Sequence, residues 1–106
     1  METTTTDVLR RVLELLQQRG WTVKFSNGPD TPLNLRCAIS CAAREMTGGN
    51  SSEWNRLYVQ TTQLLHDHLK DGISSWEFGT HADPPRRRRQ AEVESMLSEL
   101  LGRIAA

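Results

Sequence analysis

Over most of this chain, apolar residues recur with the 3.6-residue period of a helix. Leu9, Val12, Leu13 and Leu16 fall at i, i+3, i+4 and i+7, and Val8 and Leu15 widen the stripe. Thr5 or Thr6 is placed to cap this segment, Asp7 and Arg19 suit the two ends of the helix dipole, and Gly20 offers a left-handed stop. A first helix is therefore predicted over residues 6–19. Trp21, Val23 and Phe25 then alternate with polar neighbours, a strand pattern too short and too isolated to pair, so this stretch reads as an extended segment. Ser26 to Pro32 is turn chemistry throughout and should form the most mobile loop.

Asn34 can cap a second helix over residues 34–46. In it Leu35, Ala38, Ile39, Ala42 and Met46 share one face, Cys37 and Cys41 extend that face, and Arg36, Ser40 and Arg44 leave only a narrow polar strip. A helix so apolar and so rich in small residues belongs at the centre of a bundle, where Ala and Cys allow close approach. Beyond the stop at Gly48-Gly49-Asn50, Ser51 or Ser52 caps a third helix over 52–70, with Trp54, Leu57, Tyr58, Thr61, Leu64, Leu65 and His68 in register. The segment Ile73 to Gly79 reads as a connector whose Ile73 and Trp76 pack against the core as a short turn. Pro84 opens a last helix over 84–103, with Val93, Met96, Leu97, Leu100, Leu101 and Ile104 along one side. The expected fold is all-α: one domain over 1–106, four main helices, residues 34–46 central, and disordered tails at 1–4 and 105–106.

Composition narrows the function classes. Lys plus Arg and Asp plus Glu are 13 each, so recognition by charge would have to be local. No apolar run approaches the roughly 20 residues that span a bilayer, and Met1 to Asp7 lacks the basic and apolar regions of a signal peptide, which points to the cytoplasm and away from membranes. Cys37 and Cys41, four apart on one helix, are poorly placed for a disulfide and read as buried reduced thiols. With His66 and His68 they resemble a zinc set in composition only. The two histidines, two apart on a helix, point about 200° from each other, so no metal site is expected. Cys37 lies in a first helical turn, but no base, oxyanion site, phosphate loop or paired-carboxylate motif accompanies it, so neither catalysis nor a cofactor is expected.

The run Asp83-Pro84-Pro85-Arg86-Arg87-Arg88-Arg89 places four positive charges where a helix dipole is already positive. Extending the Val93 and Leu97 stripe backward turns Arg86 and Arg89 toward the body as structural ion-pair candidates. It leaves Arg87 and Arg88 outward, free to meet a partner or a phosphate. Trp76 and Phe78 are surplus apolar groups in the connector and candidates for an interaction surface.

Several short landmarks occur together: Gly20-Trp21 after an amphipathic helix, Cys37-Ala38-Ile39 with Ala42, Ile73-Ser74-Ser75-Trp76, and Gln90-Ala91-Glu92-Val93. From about Leu9 to Leu101 the chain thereby resembles an uncharacterised family of small proteins of actinobacteria and their phages. That resemblance implies a helical fold and a bacterial or phage-infected cytoplasm, and brings no catalytic residues with it. Where the family tends to carry Asn-Asp after its tryptophan, this chain has Glu77-Phe78. The expectation is a small non-enzymatic regulatory or accessory protein that binds another protein or a second copy of itself. The alternative is a nucleic-acid-binding module holding phosphates through Arg86 to Arg89.

Overall fold

The computed structural model describes residues 4–21, 34–70, 72–79 and 87–105. Its order is α1 (Thr5–Arg19), α2 (Leu35–Met46), α3 (Ser51–Leu69), α4 (Ile73–Phe78) and α5 (Gln90–Ala105). The all-α bundle expected from the periodicity is present, and four of these helices are the long ones. The extended segment after Trp21, the loop to Pro32, and Pro84 to Arg86 lie outside the described residues.

Two helix starts sit one residue earlier than expected. Thr4, expected in a disordered tail, caps α1: its hydroxyl accepts from the Asp7 N–H at 3.3 Å, and the Asp7 carboxylate accepts from the Thr4 N–H at 3.0 Å. Asn50 rather than a serine caps α3, accepting from the Glu53 N–H at 3.0 Å. Asn34 caps α2 as expected, at 2.8 Å from the Cys37 N–H. At the other end of α3, Lys70 takes the left-handed conformation (φ 56°) that ends the helix.

The core is drawn from α1 (Val8, Leu9, Val12, Leu15, Leu16), α2 (Leu35, Ala38, Ile39, Ala42, Ala43), α3 (Leu57, Leu65), α4 (Ile73) and α5 (Val93, Met96, Leu97, Leu100). α2 lies against both α1 and α3, and shares the centre of the bundle with α1, which also packs on α3 and α5. Arg11 ties α1 to α2 at the surface, with Nε donating to Glu45 Oε2 at 2.8 Å. Two predicted features change. Residues 73–78, expected as a connector, form a short helix packed on α3. The last helix begins at Gln90, so residues 87–89 approach it in non-helical backbone.

Candidate interaction surface

The segment 87–89 stays out of the helix because tertiary partners claim its backbone. The Arg88 N–H donates to the Glu77 carbonyl at 2.9 Å, and the Arg88 carbonyl accepts from the Trp21 indole N–H at 2.8 Å. Glu92 reaches back to the Arg89 N–H at 3.3 Å, which satisfies an orphan donor at the start of α5. Gln90 then donates to the Leu16 carbonyl at 3.0 Å and fixes α5 on the last turn of α1.

This early departure from helix overturns the expected orientation of the arginines. Arg88, expected to point outward, is half-buried: its guanidinium lies 4.8 Å over the Trp76 ring, Nε donates to the Trp76 carbonyl at 3.0 Å, and Nη1 stands 3.4 Å from Glu92 Oε2. Arg89, expected to turn inward, is exposed. A helical register cannot be extrapolated through three residues that are not helical, so the inner and outer assignments of 88 and 89 exchange. Arg87 is exposed as expected, with its guanidinium 5.7 Å over the ring of Phe78. Arg86 lies outside the described residues.

Phe78, the last residue of α4, is 44% exposed, whereas Trp76 is half-buried beneath Arg88. The two aromatic candidates thus part company. Trp76 serves the joint between α4 and α5, and Phe78 faces water. Beside the joint, between the ends of α3 and α4 and the side of α5, runs an open groove of about 570 Å³ lined by Leu69, Trp76 and Met96 with His68, Glu92 and Glu99 among its polar residues. Toward the far end of α5, Arg103 Nη1 lies 3.1 Å from His68 Nδ1.

The other tryptophan, Trp54, carries Arg44 at 4.7 Å and meets Tyr58 edge-on at 6.4 Å. His66 is exposed while His68 is half-buried, as their spacing requires. Cys37 and Cys41 are half-buried free thiols rather than fully buried ones, with Arg19 Nη1 4.0 Å from Cys41 Sγ.

α4 also carries an acid, Glu77, between Trp76 and Phe78. It is 3% exposed. Burial pushes its carboxyl up to about 7, over the opposing pull of the Leu35 backbone N–H and the Arg36 charge. Its spacing of four from Ile73 was the available signal, visible only once 73–78 is read as helical.

Among the described residues no helix is long and apolar enough to cross a membrane. No curated protein and no solved structure shows a significant match to the chain. A family model does match residues 1–101, nearly the whole chain, and by that match the chain belongs to the family of unknown function DUF6197.

Proposed function

We propose that the chain is a small non-enzymatic accessory or regulatory protein that binds another protein through the surface formed by Phe78 and Arg87. The observation that carries this reading is an aromatic side chain 44% exposed at a helix end, with an exposed guanidinium against its ring. Aromatic and arginine side chains are the types most enriched at the energetic centres of protein interfaces, and a phenylalanine held in water gains most from being covered. Trp76 and Arg88, which lie near these residues in sequence, are engaged with each other at the joint between α4 and α5. The setting suggested by the resemblance, an actinobacterial or phage-infected cytoplasm, belongs to the same proposal.

The test compares capture from a host lysate by the wild-type chain and by a Phe78→Ser, Arg87→Ala double variant shown by circular dichroism to be folded. A polypeptide held by the first and lost from the second supports the reading. Equal retention by both, or none by either, overturns it. DNA or RNA binding that weakens steeply with salt would move the assignment to phosphate recognition by Arg87 and Arg89.

A further inference from the structure

The approach to α5 is Arg87, Arg88 and Arg89, and the bundle takes in only the middle one. Arg88 is fixed inward by its N–H to the Glu77 carbonyl at 2.9 Å, its carbonyl to the Trp21 indole at 2.8 Å, and its guanidinium to the Trp76 carbonyl at 3.0 Å. Burial accordingly alternates, with Arg87 exposed, Arg88 half-buried and Arg89 exposed. The outer two start from Cα atoms no more than about 7 Å apart. Beside them Phe78 is 44% exposed, and the Arg87 guanidinium lies 5.7 Å over its ring.

We propose that Arg87 and Arg89, set on either side of Arg88 and beside the exposed ring of Phe78, receive an acidic protein segment whose carboxylates pair with the two guanidiniums while an apolar side chain covers the ring. This deepens the interaction reading above and rests on it, by stating what the partner must carry.

The basis is charge left unmatched by the fold. Arg11 holds both Glu14 and Glu45, but among the described residues no carboxylate pairs with the guanidinium of Arg87 or Arg89. Glu92 has both oxygens engaged, Oε2 at 3.4 Å from Arg88 Nη1 and Oε1 accepting the Arg89 backbone N–H at 3.3 Å. Glu94 takes the Gln17 amide at 3.0 Å, and Glu77 lies inside, 3% exposed. The start of α5 adds the positive end of its dipole, which strengthens the attraction for an anion from outside. A short acidic segment matches this patch better than a nucleic-acid backbone does. α5 runs on from the arginines with Glu92, Glu94 and Glu99 before its one basic residue, Arg103, so a phosphate chain continuing along it would meet acids. With 13 charges of each sign, the chain also lacks the broad basic field that draws in a polyanion.

The test is a nuclear magnetic resonance titration of the full chain at low salt, following the Nε–H signals of Arg87 and Arg89 and the ring signals of Phe78. The probes are a flexible Gly-Ser peptide carrying Glu-Leu-Glu, the same peptide carrying Gln-Leu-Gln, and a single-stranded oligothymidylate. The expected result is saturable shifts of those signals with Glu-Leu-Glu, weakened by added salt. Loss of one exposed ion pair weakens binding about threefold, so Gln-Leu-Gln, which loses two, should bind about tenfold more weakly. Arg89→Glu, which reverses one charge, should weaken Glu-Leu-Glu by about the same factor. An acid at the start of α5 suits the helix dipole, so this variant keeps its fold. Equal binding of the two peptides, no saturable shift with Glu-Leu-Glu, or tighter binding of the oligothymidylate overturns the proposal. In the lysate capture, a polypeptide lost from the Phe78→Ser, Arg87→Ala variant yet held undiminished by Arg89→Glu keeps the interaction reading and overturns only its acidic partner, so the two fail separately.

Discussion

Thr61 lies on the buried face of α3 with no exposed surface, and among the described residues its Oγ1 meets no hydrogen-bond partner. A hydroxyl left dry and unpaired costs about 1–3 kcal/mol. Valine has the same branched outline and puts a methyl where the hydroxyl was, with nearly the same helix propensity. Thr61→Val should therefore raise stability by about 1 kcal/mol. Urea unfolding checks this through a higher midpoint at unchanged slope, and a lower midpoint would mean that the hydroxyl has a partner worth keeping. The position of Thr61 in the apolar stripe was legible in the sequence. Its unmet bond was not, because hydrogen-bond satisfaction depends on neighbours from other elements.

At the scale of elements, legibility followed periodicity. α1, α2 and α3 were readable to within a residue or two because each carries an apolar stripe bounded by capping and stop residues. The start of α5 was not. The prolines at 84 and 85 offered a strong local cue, but backbone bonds from Arg88 to Glu77 and Trp21 hold the approach out of helix until Gln90. Tertiary partners outweighed local propensity there, and the arginine orientations changed with the boundary. The structure separates Arg88 from Arg89 sharply. Arg88→Ala removes a cation over Trp76, a bond to the Trp76 carbonyl and a contact with Glu92, so it should lower stability by about 1–2 kcal/mol. Arg89→Ala removes an exposed side chain and keeps the backbone bond to Glu92, so the change should stay within about 0.5 kcal/mol. Thermal unfolding of the two variants side by side measures the difference, and equal losses would restore the orientation expected from an uninterrupted helix.

For the whole molecule, balanced charges make general self-repulsion a small influence near neutrality, so individual carboxyls shape the pH profile of stability. Two act in opposite senses. The Asp7 carboxyl is held below 3.8 by its bonds to the Thr4 backbone and side chain, so the contribution is present above that value and lost as pH falls further. Glu77 is raised from 4.5 to about 7 by burial, so between those values the folded chain binds more protons than the unfolded one, and stability falls as pH rises. Maximum stability is therefore expected at roughly pH 4 to 5. The ceiling on the Glu77 effect is about 3 kcal/mol, from the size of its displacement. The global loss should be smaller, since local opening of a six-residue helix caps the cost at the free energy of that opening. Calorimetry at pH 5 and pH 8 should show a lower Tm at pH 8 for the wild-type chain and a smaller difference for Glu77→Gln. If both proteins lose the same amount, the pH sensitivity resides elsewhere and burial of Glu77 is not what sets it.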